Sequence, residues 1–246
     1  DTSCVKANIH FPVDWVLLRD AARTLMKATK LIRKRGLKVR MGEPEEFLKQ
    51  MNRLCMKMTH ARRRKDSRRI RKATLRAMKK LSKRIAAHAE RHRDELEQRW
   101  RETELKQGEA RQIINRITAM LESLPAAIRQ AHERIIGGRQ VPNDEKILSL
   151  YEDHTAVYAR GKAGAEVEFG SQLLLGECES GVIVDWELVC GKPRADTKML
   201  KRSLERMKQT AQGQSLRQIS GDRGFDSKAN RELLDQHDIY NAICPK

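Results

Sequence analysis

The sequence predicts a mixed α/β protein in which a long, positively charged helical stretch separates a short opening strand from a later region of alternating strands and helices. Three observations predict this. From about residue 14 to residue 140 apolar side chains recur every three or four positions, the spacing of one helix face. After Val141-Pro142-Asn143-Asp144 the text changes to short runs of Val, Ile and Leu with Gly between them, the signature of strands. Aromatic residues make up only 4 % of the chain against 34 % charged, the balance of long solvated helices rather than of an all-β domain.

Taken in order, the chain opens on a short extended piece through Val5. Phe11-Pro12-Val13-Asp14 then supplies a turn and an N-cap for an amphipathic helix whose face is Leu17, Leu18, Ala21, Leu25, Ala28 and Ile32, with Gly36 as its stop. A second helix begins near Pro44, a residue suited to the first turn, where Glu43, Glu45 and Glu46 complement the positive end of the dipole. Its stripe is Phe47, Met51, Leu54, Cys55 and Met58. The longest stripe follows: Leu75, Met78, Leu81, Ile85, Ala89, His92, Leu96 and Trp100. A return helix carries Ala110, Ile113, Ile114, Ile117, Met120, Leu121 and Leu124, and runs past Pro125 to a stop at Gly137-Gly138. Two long stripes joined near Gly108 suit an antiparallel, coiled-coil-like hairpin. Because the polar faces are so heavily charged, a projecting stalk is favoured over a compact bundle.

Beyond residue 141 the expected strands are Ile147 to Tyr151, Val167 to Gly176 and Val182 to Cys190, with a hairpin at Glu179-Ser180-Gly181. A helix from Asp196 to about Gln212, a strand ending at Ser220, a helix from Ser227 to His237 and a strand from Ile239 to Ile243 complete the reading. Three segments follow: 1–13, the first strand and its exit loop; 14–140, a basic helical insertion; and 141–246, the remainder of the α/β core. The chain starts with Asp rather than Met, directly on a strand, and stops in the apolar run from Ile239 to Lys246. Both ends therefore read as internal to a longer protein.

The length of 246 residues is enough to bury a sizeable core. The net charge of +18 is uneven: positions 1–140 carry 36 basic and 16 acidic side chains and the remainder 15 and 17, so the first part is +20 and the second −2. A field of that sign concentrates polyanions, and each phosphate it neutralises releases a counterion, so nucleic acid is the favoured partner. A membrane partner is not expected. The most apolar stretch, Trp15 to Ile32, is interrupted by Arg19, Asp20, Arg23, Lys27 and Lys30, and no segment reads as a transmembrane helix or a signal peptide. Five cysteines, Cys4, Cys55, Cys178, Cys190 and Cys244, are far apart and form no CxxC pair, which points to free thiols, a reducing cytoplasm and no zinc ribbon.

Two phrases carry the chemistry. One is Asp1-Thr2-Ser3 followed by Asn8-Ile9-His10-Phe11-Pro12-Val13-Asp14 and Leu17-Leu18; the other is Gly221-Asp222-Arg223-Gly224-Phe225-Asp226-Ser227. Between them stand Arg160-Gly161-Lys162-Ala163-Gly164, Val167-Glu168-Phe169-Gly170, and Gly191-Lys192-Pro193 with Asp196. Together these resemble the catalytic domain of bacterial insertion-sequence transposases of the DDE class. The resemblance covers nearly the whole chain, least between about 36 and 140. It implies a ribonuclease H-like fold, a mixed sheet interrupted after its first strand by the basic helical insertion. The first carboxylate lies on the first strand and the second follows the fourth, which are Asp1 and Asp222 here. The third, a Glu on a helix beyond the fifth strand, would fall after Lys246. The resemblance further implies Mg²⁺, with Mn²⁺ as a substitute, double-stranded DNA as element ends and target, a homodimer for the full-length protein, and a bacterial cytoplasm close to the nucleoid. An incomplete carboxylate set leads us to expect that these residues bind DNA without cutting it.

The chemistry explains the residue types. Cutting a phosphodiester and joining its 3′ oxygen to a new strand activates one oxygen and stabilises another, work done by two Mg²⁺ ions roughly 4 Å apart. Mg²⁺ takes hard oxygen ligands and keeps several waters, so a few carboxylates on rigid strands suffice. Asp1 and Asp222 would lie side by side if their strands were neighbours in one sheet. Gly-Asp-Arg-Gly also reads as a strand-to-helix turn with Asp226 or Ser227 as N-cap, a role compatible with catalysis. Asp196 reads as the cap of its helix. Arg160 and Lys162 either contact DNA near the active centre or flank a glycine turn; they are no P-loop, because the upstream Gly is missing and Ala163 replaces the hydroxyl.

Between Arg62 and Arg84 stand 13 Lys or Arg and one acid, Asp66. In the densest part, Arg62, Arg63, Arg64, Lys65, Arg68, Arg69, Arg71 and Lys72, like charges at helical spacing oppose each other, and a bound polyanion is a natural compensation. Contacts of this kind hold phosphates without reading sequence. His88 and His92 share a helix face but lack a third ligand, so they read as solvated or seam positions. The rival reading is a non-enzymatic basic coiled-coil protein that organises nucleic acid through its stalk, or a domesticated transposase copy.

Overall fold

The computed structural model describes residues 1–7, 9, 14–143, 145–152, 154–162, 165–209 and 216–245, with the backbone alone at 159–162 and 165–166. The protein is mixed α/β with a small antiparallel sheet. It forms two compact units, one built from Asp1–Asn8 and His154–Lys246, the other from the continuous segment Ile9–Asp153. Among the described residues no helix is long and apolar enough to cross a membrane.

The helical unit comprises α1 (Asp14–Lys34), α2 (Pro44–Ala61), α3 (Ser67–Arg99) and α4 (Gln107–His132). Pro44 occupies the first turn of α2 with Glu45 and Glu46 beside it, as expected. A 3₁₀ turn, Trp100–Glu102, leaves α3, and Gly108 lies inside the first turn of α4 rather than in the connection. Pro125 sits inside α4, which passes into a π-helical turn at Glu133–Gly137 and stops at Gly138, whose φ of 76° suits a residue without Cβ.

The expected stalk is replaced by a four-helix bundle. On α1 the buried residues come in adjacent pairs, Leu17 with Leu18, Ala21 with Ala22 and Leu25 with Met26, so its apolar face is wider than a coiled-coil seam and needs more than one partner. Helices α2, α3 and α4 all pack to cover it, and Met51, Met58, Leu75, Met78, Ile85, Leu96 and Ile117 join it in one core. Charge on the outer faces says nothing about how many helices share the inner ones.

A buried polar link ties the start of α1 to the end of α4. Asp14 accepts hydrogen bonds from Gln130 Nε2 at 2.9 Å and from Arg134 Nη1 at 2.8 and 2.9 Å. Gln130 also grips the backbone of Ile147, donating to its carbonyl at 3.1 Å and accepting its N–H at 2.7 Å. This corrects the reading of Ile147 to Tyr151 as a strand. Its backbone is held by a glutamine side chain, and Leu150 is buried in the helical core.

In the other unit β3 (Ala165–Glu177) is central. It pairs antiparallel with β1 (Thr2–Lys6), with β2 (Ala156–Lys162) and with β4 (Ile183–Val189). The hairpin between β3 and β4 turns at Gly181, with φ of 80°. Strand β2 was not expected; Arg160-Gly161-Lys162 lies on it, and Ala163-Gly164 falls outside the described residues. Gly170 lies where β1 and β2 both approach β3. A Cβ there would stand 1.9 Å from the carbonyl oxygen of Val5, so only glycine fits. Helix α5 (Asp196–Met207) ends before the expected Gln212; residues 210–215 lie outside the described ones. Strands β5 (Gln218–Gly221) and β6 (Tyr240–Ile243) form a separate parallel pair, with α6 (Lys228–Asp235) between them in sequence. Met199, Leu200, Leu204, Phe225, Leu234 and Ile243 pack with Leu174 and Val189 into this unit's own core.

Candidate functional site

Strand β5 delivers the chain into Gly221-Asp222-Arg223-Gly224-Phe225. The turn is shaped by Asp222, whose Oδ1 accepts the N–H of Gly224 at 2.8 Å while its carbonyl accepts that of Phe225 at 3.2 Å. Buried Phe225 anchors the 3₁₀ turn, so Asp222 is presented at the carboxyl end of β5. The expected strand-to-helix turn is therefore present. Ser227 caps α6 by accepting the N–H of Asn230 at 3.1 Å, and Asp226 is buried in a two-pronged pair with Arg231 at 2.8 and 2.7 Å.

A second carboxylate meets the first. A Cβ on Gly224 would stand 2.6 Å from Asp196 Oδ2 and 2.9 Å from Asp222 Oδ1, so both acids close over one bare Cα. Asp196 does not cap its helix, which corrects the sequence reading. The N-cap of α5 is Ala195, and no side chain caps it. Instead Asp196 Oδ1 accepts hydrogen bonds from Thr2 Oγ1 at 2.9 Å and from Gln172 Nε2 at 3.2 Å. Gln172 is itself pinned to the backbone of Arg194, giving to its carbonyl at 3.0 Å and taking its N–H at 2.9 Å. Residues from β1, β3, the start of α5 and the turn after β5 thus meet at one place.

Three arginines of this unit are engaged elsewhere. Arg194, Arg202 and Arg206 all reach Glu187, and Arg206 also reaches Asp185. Burial works against the Asp185 charge, but hydrogen bonds from Arg206 and Ser203 hold its carboxyl below the usual range. The hydrogen bond from Arg202 does the same for Glu187 against a smaller opposing effect of burial. Neither Asp196 nor Asp222 has an ion-pair partner among the described residues. The oxygens of these two carboxylates are the hard donors Mg²⁺ prefers. One or two carboxylates completed by water and substrate phosphate are an ordinary Mg²⁺ set, so the residues fit that ion. No group of three or more His, Cys, Asp or Glu able to hold a metal occurs among the described residues.

Asp1 lies next to this cluster in the chain but not within it. Its backbone nitrogen donates to the Leu175 carbonyl at 2.8 Å, and its carbonyl accepts the Leu175 N–H at 2.9 Å. That is one step of register before Thr2, which pairs with Leu174. Since Thr2 points to Asp196, strand alternation puts Asp1 on the opposite face. The expected adjacency of two parallel strands is not found either: β1 pairs with β3 and β5 with β6, and no ladder joins β1 to β5 among the described residues. Of the opening phrase, Asn8 and residues 10–13 lie outside the described residues.

The basic cluster lies on the helical unit. Arg62, Arg63, Arg64 and Lys65 occupy the exposed turn between α2 and α3, with Arg68 and Arg69 exposed and Arg71 and Lys72 half-buried on the first turns of α3. Asp66 takes Arg64 at 3.5 Å and Arg69 at 3.3 Å. Arg160 and Lys162 lie on β2, their side chains outside the described ones. His92 is a buried seam residue whose Nδ1 lies 2.7 Å from the His88 carbonyl, and the His88 ring meets Phe47 edge-on.

Sequence reasoning missed Asp196 as a partner of Asp222, and Gln172 as its support. An Asp at a helix start reads as a cap, so Asp196 gave no distinct signal. Gln172 did: it is a polar residue at an inward position of an apolar strand. In comparisons with known proteins, no family model matches the chain, nor does any curated protein or solved structure.

Proposed function

We propose that the chain is part of a DDE-type insertion-sequence transposase, acting on double-stranded DNA with Mg²⁺ through a ribonuclease H-like α/β core that carries a basic helical insertion. The observation that supports this reading is the convergence of its two remote phrases: Thr2 of the first donates to Asp196, whose other oxygen stands beside Asp222 of the second. The antiparallel sheet and the parallel β5–β6 pair supply strands of both orientations in one unit, as two separate sheets among the described residues.

On this reading Asp222 and Asp196 hold the ion, and bound there it supplies positive charge to the phosphodiester oxygens. The protein's part is orientation. Thr2 and Gln172 fix Asp196, the Gly224 N–H fixes Asp222, and the absence of a side chain on Gly224 leaves the space between them open. Asp1, adjacent to Thr2, is a further catalytic carboxylate only if its side chain turns to the same face when DNA or metal binds. Arg62 to Lys65 with Arg68, Arg69, Arg71 and Lys72 hold phosphates, and a place near the bacterial nucleoid follows from the partner. The coiled-coil alternative loses its projecting hairpin to the bundle, which leaves a non-enzymatic DNA-binding role as the rival.

Mn²⁺ binding followed by electron paramagnetic resonance tests the site. Asp222→Asn and Asp196→Asn should each weaken binding by at least about tenfold, the loss of one charged ligand, and Asp1→Asn reports whether the first carboxylate takes part. Unchanged binding in both of the first two variants would refute the site. With end-labelled DNA and Mg²⁺, these residues should bind without sustained cleavage; cleavage that survives Asp222→Ala would refute the assignment of Asp222.

A further inference from the structure

Trp15, in the first turn of α1, is buried beneath two guanidiniums: Arg62 Cζ lies 5.5 Å and Arg71 Cζ 5.6 Å from its ring centroid. Both are cation–π distances. Arg62 is the residue that ends α2 and Arg71 lies near the start of α3, so three helices meet to set this pair. The acids in the neighbourhood have partners of their own. Asp14 holds Arg134 and Gln130, Asp20 holds Arg19 at 3.0 Å, and Asp66 holds Arg64 and Arg69. Among the described residues Arg62 and Arg71 have no carboxylate partner, and the buried Arg71 Nε has no acceptor. Burial first, and then the charge of Arg62, lowers the Arg71 pKa from its ordinary value.

Two guanidiniums held this way repel each other and keep most of their donors unspent. What relieves both conditions is a tetrahedral oxyanion with several acceptor oxygens, since the guanidinium fork matches phosphate and is weakly hydrated. An aromatic ring beneath them orients the pair in advance and reduces the rotamer entropy lost on binding.

We propose that Arg62 and Arg71, stacked on Trp15, form a fixed phosphate clamp, distinct from the other arginines and lysines of the cluster. The inference rests on the nucleic-acid reading for the source of that phosphate, a DNA backbone, but not for the clamp itself. Neighbouring Arg63, Lys65 and Arg68 supply a diffuse field, whereas the clamp sets where one phosphate sits.

The full chain carrying Trp100→Phe and Trp186→Phe leaves Trp15 as its only indole, whose fluorescence reports on the clamp. Two titrations are run, one with inorganic phosphate and one with a short DNA duplex of arbitrary sequence. The expected result is an emission change with both ligands that is lost in Arg62→Gln and Arg71→Gln. DNA affinity should fall about tenfold in each variant, with the slope of log affinity against log salt reduced by about one. Arg63→Gln and Arg68→Gln should cost only two- to threefold, about what a screened surface charge contributes. Arg62→Lys keeps charge but not the flat fork, and should restore part of the loss. A response to phosphate but not to DNA would uphold the clamp and defeat the DNA reading. Arg62 is exposed, so its variants should fold even if those of Arg71 do not. If Arg62→Gln binds both ligands as the parent does, or if neither ligand changes the emission, the clamp is refuted.

Discussion

Asp196 and Asp222 approach each other across the Cα of Gly224, one from the first turn of a helix and one from the end of a strand, although 25 residues stand between them in sequence. The space they share is one that a single methyl group would fill.

Gly224→Ala should therefore act as a wedge. Its methyl group would meet oxygens at 2.6 and 2.9 Å, so the carboxylates must separate. An overpacking cost of about 1–3 kcal/mol is expected, read by urea unfolding, together with weaker Mn²⁺ binding. Unaltered Mn²⁺ affinity would show that the spacing of the two acids is unimportant to the ion.

Gln172→Leu removes the clasp on Asp196 and on the Arg194 backbone. It leaves the Arg194 N–H without its acceptor, a loss of about 1–3 kcal/mol. Mn²⁺ affinity should fall as well, because only Thr2 would then orient Asp196 Oδ1. Stability equal to that of the parent would show that this clasp contributes nothing.

Acid should loosen the helical unit before it loosens the carboxylate network. Burial lowers the pKa of both His88 and His92 from 6.5, with Arg91 opposing the charge of each and Glu95 favouring that of His92. A base with a depressed folded-state pKa is neutral in both states at high pH and costs nothing there. Below pH 6.5 the unfolded chain takes up the proton first, so stability falls as pH drops from 6.5 towards the folded value. Urea midpoints at pH 7.5 and 5.5 should differ more for the parent than for His92→Leu; equal differences would show that His92 stays uninvolved.

Asp185 and Glu187 lose stability in the same direction but in a more acidic window. Their folded-state pKa values are depressed, so their contribution is full above the ordinary 3.8 and 4.5 and is lost as pH falls through the lower folded values. Arg206→Gln should remove most of the Asp185 part of that acid dependence and leave the Arg202–Glu187 part, observable as a partly flattened unfolding profile between about pH 5 and pH 2.

Thiol labelling should separate the cysteines by unit. Burial pushes the Cys55 thiol up to about 11, while Cys190 and Cys244 are exposed. At pH 8 the exposed pair should react quickly and Cys55 only after unfolding, since the thiolate is the reactive form. Fast labelling of Cys55 in the native state would mean that the contact between α1 and α2 opens readily.

Much of the architecture was legible because it follows from periodicity. The stripes of α1 to α4, the hairpin at Gly181 and the strand-turn-helix around Asp222 all announce themselves through apolar spacing or turn chemistry. What was not legible depends on contacts between remote residues. Ile147 to Tyr151 has a strand's composition, yet Gln130 satisfies its backbone; Asp196 has a cap's position, yet its oxygens face Thr2, Gln172 and Gly224. Arg160-Gly161-Lys162 reads as a turn because of its glycine, but β3 recruits it as a strand. The stalk failed for a related reason, since the width of a buried face on α1 decides how many helices pack against α3 and α4.

Strand β1 finds its partner a long way down the chain: Asp1 is hydrogen-bonded to Leu175, 174 positions away. During synthesis the first strand must wait, its edge unpaired, while the whole helical unit emerges and has time to assemble. Loop closure over that distance is a late, slow event compared with helix docking. Pulse-labelled hydrogen exchange during refolding should protect the amides of α1 to α4 well before those of Thr2 to Lys6. The carboxylate pair over Gly224 would then be completed late, because Thr2 arrives with that strand.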